Sequence, residues 1–254
     1  MITMDLGLKG KKAFVSGSTQ GIGLGIAKAL HQEGCSVALN GRSESRLAVA
    51  MKSLQGSVGI HGDVSRPKEA SKIIRKAVVA LGGLDILVCN VGSGRSVPPG
   101  KENAQEWQRV FGVNLWATTN LVEAAQKYLA TSKGAVICVS SICGLEVVPG
   151  APVTYSAAKA AIHAMIRGLA RPLGRAGIRI NGVAVGNVIH ENSVWAERLK
   201  KQPQKTKKLI CEEVPLQRLG QPKEIGDIVT FLASSRASFA TGAIWALDGG
   251  QARH

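Results

Sequence analysis

Residues 12–23, KAFVSGSTQGIG, combine a short apolar run with a turn that contains Gly17, Gly21 and Gly23. The apolar run is typical of a buried β-strand, and apolar residues recur at helical spacing directly after Gly23. Glycines let the backbone turn tightly and approach a pyrophosphate, which the free N–H groups at a helix N-terminus can bind. The stretch therefore predicts a strand, a turn and a helix that hold a dinucleotide. Its G-x-x-x-G-x-G spacing differs from the G-x-G-x-x-G form, and a turn without a ligand is the alternative.

Strands and helices alternate along the rest of the chain. Strands that alternate with helices of about 10–15 residues form parallel sheets, and strands that are apolar on both faces are covered by helices on both sides. The sequence therefore predicts an α/β fold with a Rossmann-type, doubly wound, parallel seven-stranded sheet flanked by helices, in a single domain over residues 1–254. The further strands are predicted at 36–39, 58–61, 85–89, 135–140, 179–185 and 242–247, and the further helices at 43–54, 68–81, 104–129 and 153–173.

The composition of the 254-residue chain excludes several classes of protein. It has 45% hydrophobic residues, 4% aromatic residues, 30 glycines and five cysteines. The hydrophobic fraction excludes wholesale disorder, and the scarcity of aromatic residues disfavours a protein that binds single-stranded nucleic acid by stacking. An odd number of cysteines without C-x-x-C spacing favours a reducing compartment. Since the sequence shows neither a membrane-spanning apolar run nor a signal peptide, we expect a cytoplasmic protein.

The formal net charge of +15 is unusually high. Such a charge is compatible with nucleic acid, an anionic membrane surface or an acidic small molecule as a partner. The sequence contains no helix-turn-helix, zinc-finger or aromatic-platform motif, so we expect no binding of nucleic acid or membranes. His31, His61 and His163 lack the paired spacing of metal ligands, so no metal is expected either.

The end of the second predicted strand bears on the choice of dinucleotide. It continues as Leu39-Asn40-Gly41-Arg42, and no acidic residue occurs before Glu44. Proteins of this fold that bind NAD usually place an acid here to bind the ribose hydroxyls, whereas an arginine suits a 2′-phosphate. Arg42 therefore favours NADP(H) over NAD(H), and a residue of an ordinary surface turn is the alternative.

Tyr155 and Lys159 are four residues apart in a predicted helix, so their side chains share one helix face. An ammonium beside a phenol favours the phenolate and lowers its pKa from about 10, which lets a tyrosine act as acid or base near neutral pH. Ser140 and Ser141 end the strand before this helix, at the sheet edge where such folds bind ligands. An ordinary solvated helix face is the alternative interpretation of the pair.

These residues resemble the short-chain dehydrogenase/reductase family, and the resemblance covers nearly the whole chain. It includes the glycine turn and, further along, Asp63-Val64, Asn90-Val91-Gly92, Val113-Asn114-Leu115 and the recurrent C-terminal patterns at 215–220 and 247–250. It implies a catalytic tetrad of Asn114, Ser141, Tyr155 and Lys159. It also implies a cofactor site formed by Gly17, Ser18, Gln20, Gly21, Ile22, Gly23, Arg42, Asp63, Val64, Asn90, Gly92, Tyr155, Lys159 and Val188.

The resemblance implies an oxidoreductase that transfers a hydride between NADP(H) and a carbonyl or secondary alcohol. Tyr155 would exchange a proton with the substrate oxygen, and Lys159 would lower the Tyr155 pKa and bind the nicotinamide ribose. Ser141 would bind the carbonyl oxygen, and Asn114 would hold a water that links Lys159 to solvent. Ser140 remains an alternative to Ser141, because the gap from Ser141 to Tyr155 is one residue longer than in many relatives.

Two positions depart from the family pattern. The Pro-Gly that follows the sixth strand is Val185-Gly186, and the threonine that commonly holds the nicotinamide amide is replaced by His190. Backbone groups near Val188 can still hold the carboxamide, so one interpretation is a harmless substitution. The other is an altered pocket over the nicotinamide.

Residues 186–210 are expected to form a lid over the substrate. The segment begins with polar residues and then has six basic residues between Trp195 and Ile210, with Glu197 as the only acid. A solvated helix face explains such a run, but the run also suits an anionic substrate such as a nucleotide sugar, a sugar phosphate or an acyl carrier.

A sugar-type or other anionic substrate is therefore expected. A 3-oxoacyl-carrier-protein reductase is the alternative, and a non-catalytic dinucleotide-binding or nucleic-acid-binding protein is the second alternative. Members of the resembled family are mostly homotetramers, so the resemblance also implies a homo-oligomer, either a tetramer or a dimer.

Overall fold

Seven parallel strands form one sheet in the computed structural model, which describes residues 5–253. Their order across the sheet is β3-β2-β1-β4-β5-β6-β7, and each predicted strand is found with its ends within two residues of the prediction. The predicted α/β fold with a doubly wound parallel sheet is confirmed. The strands are β1 Lys12–Val15, β2 Ser36–Gly41, β3 Val58–His61, β4 Ile86–Cys89, β5 Ala135–Ser141, β6 Arg179–Val185 and β7 Ile244–Leu247.

Helices cover both faces of the sheet. The side chains of β1 alternate between the two faces, with Ala13 and Val15 in one apolar core and Phe14 in the other. α1, α2 and α9 contribute to the first core, and α3, α5 and α6 contribute to the second. The nine helices within residues 5–253 are α1 Gly21–Gln32, α2 Glu44–Lys52, α3 Pro67–Leu81, α4 Ala104–Phe111, α5 Ala117–Ser132, α6 Val153–Arg175, α7 Val194–Lys201, α8 Pro203–Glu213 and α9 Pro222–Ala233.

Two helical regions differ from the prediction. The stretch predicted at 104–129 consists of α4 and α5, which a π-helical turn over Gly112–Trp116 joins. α9 is absent from the predicted elements. Its N-terminus nevertheless has a sequence signal, which is a glutamate, Glu224, three residues after Gln221. In the structure the Glu224 carboxylate accepts a hydrogen bond from the Gln221 N–H at 2.8 Å.

Within the described residues, no helix combines the length and the apolarity needed to cross a membrane. The predicted domain also includes residues 1–4 and 254, which lie outside the described range. The prediction that the N-terminal stretch is not a signal peptide also concerns residues 1–4, which lie outside the described range.

Candidate active site

The glycine turn lies between β1 and α1, at the carboxyl edge of the sheet. Gly17 and Gly21 have φ values of +59° and +58°, which residues with a side chain rarely adopt. A Cβ on Gly23 would lie 2.5 Å from the Gly17 carbonyl oxygen, so only glycine lets α1 begin this close to the turn. The side chain of Gln20 does not cap α1 and the first turn has no acid, which leaves the N–H groups of that turn available. The turn therefore fits a pyrophosphate.

Ser18 and Asn90, both predicted to bind cofactor, hold the turn itself together. The Ser18 hydroxyl donates to the Val15 carbonyl oxygen at 2.7 Å and accepts from the Asn40 N–H at 3.0 Å. The Asn90 amide donates to the Gly17 carbonyl oxygen at 3.1 Å. The Ser18 hydroxyl therefore shapes the turn, and its contact with a cofactor stays a prediction.

A cleft of about 570 Å³ extends from the turn to the ends of β2 and β3. Asp63 lines it, and its carboxylate accepts from the N–H and the hydroxyl of Ser65 at 3.0 and 2.7 Å. Burial raises the pKa of Asp63, but these hydrogen bonds and the nearby Arg42 outweigh burial and hold the pKa below its usual value. An ionised carboxylate here can accept from the amino group of an adenine. Val64, Asn90 and Gly92 also line this cleft.

Arg42 lies at the rim of the cleft. Its guanidinium is 4.0 Å from the Asp63 carboxylate, and 73% of its side chain is exposed. Ser43 and Arg46 line the same cleft, and the Ser43 hydroxyl caps α2 by accepting from the Arg46 N–H at 3.4 Å. Two guanidinium groups beside a helix N-terminus suit a phosphate group.

Tyr155 and Lys159 both lie on α6, and Lys159 is buried. The Lys159 ammonium donates to the Val139 carbonyl oxygen at 3.1 Å and lies 5.6 Å from the centre of the Tyr155 ring. Gly92, which lines the cleft, packs against the same ammonium, because a Cβ on it would lie 3.1 Å from Lys159 Nζ. The cleft therefore leads to the tyrosine–lysine pair.

Burial shifts the pKa of both groups. It lowers the pKa of Lys159 to about 8, and it raises the pKa of Tyr155 to about 12, while the Ser141 side chain acts on the phenol in the opposite direction. The expected lowering of the Tyr155 pKa by Lys159 is therefore not found among the groups of this chain, because burial of the phenol dominates. The phenol is protonated at neutral pH, and Lys159 can exchange its proton at only slightly higher pH.

β5 ends in the two candidate serines. Ser140 is buried, and its hydroxyl faces the Lys159 carbonyl oxygen on α6 at 3.5 Å. Ser141 accepts from the Cys143 N–H at 3.2 Å, and its side chain interacts with the Tyr155 phenol. Ser141 therefore acts on the pKa of the Tyr155 phenol, whereas the Ser140 hydroxyl faces the backbone of α6, and the choice between the two serines stays a prediction.

Asn114 lies in the π-helical turn and is buried. Its amide donates to the carbonyl oxygens of Ser93 and Val110 at 3.1 and 3.0 Å, and its Oδ1 accepts from the Ser93 N–H at 3.1 Å. The Asn114 main-chain carbonyl also accepts from the Thr118 hydroxyl at 3.2 Å. The side chain thus ties the loop after β4 to the helix.

Val188 pairs with Gly220 in an isolated parallel bridge beyond β6. The bridge hydrogen bonds run from the Ile189 N–H to the Gly220 carbonyl oxygen and from the Gly220 N–H to the Asn187 carbonyl oxygen, each at 2.9 Å. The N–H and C=O of Val188 itself therefore point away from the bridge. On that side they can form hydrogen bonds with a carboxamide.

The two departures from the family pattern have structural counterparts. Val185, which stands in place of the proline, is buried at the end of β6 and pairs with Leu247 of β7. The retained Gly186 allows a close approach, because a Cβ on it would lie 2.6 Å from the Asp248 side chain. The His190 ring packs on the glycine turn, because a Cβ on Gly21 would lie 2.9 Å from it, and burial lowers the pKa of His190. The imidazole is therefore neutral at pH 7 and lies against the start of α1.

The predicted lid, residues 186–210, contains α7 and most of α8. It touches both sides of the site. Arg95 of the loop after β4 forms an ion pair with Glu197 at 2.9 Å, and the Asn192 amide lies 3.5 Å from Gln20 Oε1 beside the glycine turn. The six basic side chains of the segment are exposed, and they are Arg198, Lys200, Lys201, Lys205, Lys207 and Lys208.

Metal-ligating side chains do not gather in groups of three or more anywhere in residues 5–253. His163 is buried on α6, four residues after Lys159, and its Nδ1 lies 3.0 Å from the Gly144 carbonyl oxygen. It is a neutral residue of the protein interior, because burial lowers its pKa to about 4.

Known proteins are similar to this chain over almost its full length. A family model described as "Enoyl-(Acyl carrier protein) reductase" matches residues 17–252. The chain is 34% identical over 250 residues to glucose 1-dehydrogenase of Gluconobacter oxydans, which covers 95% of this chain and 91% of that protein. It is also 34% identical over 247 residues to 3-oxoacyl-[acyl-carrier-protein] reductase FabG of Staphylococcus aureus, which covers 94% of this chain and 97% of that protein. The chain belongs to the short-chain dehydrogenase/reductase family.

A solved structure supports the assignment to the short-chain dehydrogenase/reductases. L-Sorbose reductase from Gluconobacter frateurii, complexed with NADPH and L-sorbose, matches with a TM-score of 0.92 at 27% identity, and the match covers 99% of this chain and 100% of that chain. The predicted enzyme class is confirmed, and the chain is an NAD(P)-dependent oxidoreductase that acts on an alcohol or a carbonyl group.

Two residues of this short-chain dehydrogenase/reductase site, and one residue beside it, were not predicted from the sequence. Ser43 follows Arg42 directly and precedes a helix, so the preference for serine at a helix N-cap would have found it. Arg46 lies one turn further along the same helix. His163 carried no such signal, because only the fold brings it against Gly144.

Proposed function

We propose that the enzyme transfers a hydride between NADP(H) and the carbonyl or alcohol carbon of a small hydroxylated substrate of the sugar type. The observation that carries this proposal is the cleft that has Arg42 at one end and, at the other, Gly92, which packs against the ammonium of the Tyr155–Lys159 pair. The polar start of the lid supports a hydroxylated substrate. Two proteins to which the chain is similar, glucose 1-dehydrogenase and L-sorbose reductase, are named after sugars.

The residues of the cleft fit each part of the dinucleotide. The turn at Gly17, Gly21 and Gly23, with the backbone of Gln20 and Ile22, would hold the pyrophosphate, and Arg42 and Arg46 would hold the 2′-phosphate. When bound, the nicotinamide gives or takes the hydride. The remaining contacts would come from Asp63 and Val64 at the adenine, Asn90 and Gly92 along the cleft wall, Lys159 at the nicotinamide ribose and the backbone of Val188 at the carboxamide.

The catalytic roles follow from the protonation states. Because burial raises the pKa of Tyr155 to about 12, the phenol keeps its proton at neutral pH and can donate it to the oxygen of a carbonyl undergoing reduction. Ser141 donates a hydrogen bond to the same oxygen and stabilises the charge that develops there. Lys159, whose pKa burial lowers to about 8, can return a proton to the tyrosine. Asn114 would hold the water that connects Lys159 to solvent.

A 3-oxoacyl-carrier-protein reductase is the second candidate function. The six exposed bases of α7 and α8 favour it, because a basic surface beside the site would attract an acidic carrier. Relatives with that printed activity are similar to the chain at 34% identity. For either function we propose a cytoplasmic homo-oligomer.

A turnover assay tests the proposal. NADPH oxidation is followed with a panel of sugars, sugar phosphates, nucleotide sugars and 3-oxoacyl thioesters, and turnover with a sugar-type carbonyl is expected. Tyr155→Phe should remove turnover and leave NADPH binding intact, whereas Tyr128→Phe, at the only other tyrosine, should leave both intact. Turnover with 3-oxoacyl thioesters alone would favour the second candidate. A near-normal rate for Tyr155→Phe would refute the catalytic assignment.

A further inference from the structure

His163 makes one hydrogen bond that defines its protonation. Its Nδ1 lies 3.0 Å from the Gly144 carbonyl oxygen, and since a carbonyl only accepts, Nδ1 must carry the proton. The side chain is 2% exposed, and its Nε2 is buried without a hydrogen-bond partner among the described residues. An unpaired buried nitrogen is unfavourable, so packing alone would favour leucine at this position. The bond to Gly144 therefore needs an explanation other than space filling.

The turn that receives this bond is pressed against the catalytic helix. Ile142–Gly144 form a short 3₁₀ turn directly after β5. A Cβ on Gly144 would lie 2.6 Å from the carbonyl carbon of Lys159 and 2.8 Å from the His163 ring. The turn thus contacts α6 between the catalytic lysine and the histidine one helical turn beyond it.

The same turn orients Ser141. The Ser141 hydroxyl accepts from the Cys143 N–H at 3.2 Å, and Cys143 lies in the middle of the turn whose last residue His163 holds. A shift of the turn away from α6 would move this N–H and release the hydroxyl. Ser141 must point its own proton at the substrate oxygen, so its orientation depends on the turn.

We propose that His163 is a positioning residue, which anchors the Ile142–Gly144 turn to α6 and thereby keeps the Ser141 hydroxyl directed at the substrate carbonyl. The proposal rests on the role of Ser141 given above. It assigns His163 no contact with substrate or cofactor. Removal of the donor should therefore lower kcat and leave cofactor affinity unchanged.

Two variants of His163 test the anchor. His163→Leu keeps the volume without a donor, whereas in His163→Asn the amide nitrogen can take the place of Nδ1. His163→Leu should lower kcat on the order of 10-fold or more, because small misplacements of a catalytic group have effects of this size, with the NADPH Kd unchanged. His163→Asn should restore most of kcat. An unchanged kcat for His163→Leu, or an equal loss for both variants, would overturn the proposal.

A double-mutant cycle with Ser141→Ala separates positioning from general destabilisation. If His163 acts through Ser141, His163→Leu costs nothing further once the hydroxyl is gone. Losses that add in full overturn the positioning role and leave the catalytic assignment of Ser141 intact. A Ser141→Ala variant with normal kcat overturns both.

Selective ¹⁵N labelling of histidine provides a test in the unmodified enzyme, should His163→Leu not fold. The ring nitrogen shifts should show a neutral imidazole protonated at Nδ1. A neutral imidazole protonated at Nε2 would overturn the proposal, because it cannot donate to Gly144.

Discussion

The buried ammonium of Lys159 lowers the free energy of unfolding, and a substitution that removes the charge should raise it. Its side chain is 3% exposed, its ammonium donates to the Val139 carbonyl oxygen, and no carboxylate of residues 5–253 forms an ion pair with it. A buried charge without a counter-charge destabilises the folded state. Methionine has nearly the same length and no charge. Lys159→Met is therefore predicted to stabilise the protein while it abolishes turnover.

The size of the effect follows from the pKa of Lys159. A fall from 10.5 to about 8, caused mainly by burial, corresponds to about 3 kcal/mol against the charged form in the folded protein. The variant also loses the hydrogen bond to Val139, which offsets about 1 to 2 kcal/mol of the gain. A net gain of about 1 to 2 kcal/mol in the free energy of unfolding remains, or a rise of a few degrees in Tm.

The pH dependence of stability has a defined sign. The pKa is lower in the folded than in the unfolded protein, so the folded state loses this proton first as the pH rises. The cost is complete below about pH 8 and disappears between about pH 8 and 10.5. The gain in the free energy of unfolding of Lys159→Met, relative to the unsubstituted protein, should therefore be largest at pH 7 and should be lost by about pH 10.

Urea unfolding at fixed protein concentration, without added cofactor, measures this difference. Lys76→Met is the matched control, because Lys76 is exposed on α3 and its loss should change the midpoint little at any pH. The reasoning is refuted if Lys159→Met lowers the midpoint at pH 7, or if its gain stays constant up to pH 10. Either result would mean that the buried ammonium is not costly in the folded state.

Three further predictions concern the cofactor and the two serines. Gly23→Ala should remove NADPH binding in a fluorescence titration with the fold retained by circular dichroism, because its Cβ would lie 2.5 Å from the Gly17 carbonyl oxygen; normal affinity would contradict the glycine cradle. Arg42→Ala should weaken NADPH binding by about 10-fold, the effect of about 1 to 2 kcal/mol lost at a phosphate, and leave NADH binding unchanged, so equal losses for both cofactors would argue against a 2′-phosphate site. Ser141→Ala should lower kcat by about 10²-fold or more, as the loss of an oxyanion-type donor does, whereas Ser140→Ala should keep most of kcat; the reverse order would reassign the catalytic serine.

The alternation of apolar runs and helical patterns was sufficient to predict the sheet. Five of the seven strands are short runs of mostly buried residues, whereas β3 and β7 are only partly buried. The strands at 58–61 and 179–185 were predicted to the residue, because glycine-containing turns or charged residues bound them. α9 is amphipathic as well, with Ile225 and Val229 in the core, but it follows a long polar segment and was not predicted. Its place against α1 depends on tertiary packing, which local periodicity does not contain.

The side chains of the site were predictable by position but not by direction. Spacing placed Tyr155 and Lys159 on one helix, yet it did not show that burial would raise one pKa to about 12 and lower the other to about 8. Ser18 lies within the glycine turn, and only the folded turn shows that its hydroxyl faces Val15 and Asn40. Burial and orientation arise from contacts between distant segments, and a motif records only the order of residues along the chain.

Within α6 the polar groups that lower stability are concentrated near the reacting atoms. Ile162 and Ile166 are completely buried and apolar, which is what packing against the sheet favours. The same helix buries the charge of Lys159 four residues after Tyr155 and the unpaired nitrogen of His163 eight residues after it. An apolar residue would favour stability at each position, so the presence of both polar groups within little more than two helical turns of the phenol indicates that chemistry, not stability, determines this part of the helix. His163→Leu, like Lys159→Met, should therefore raise the free energy of unfolding while it lowers kcat, a combination that a merely structural histidine would not show.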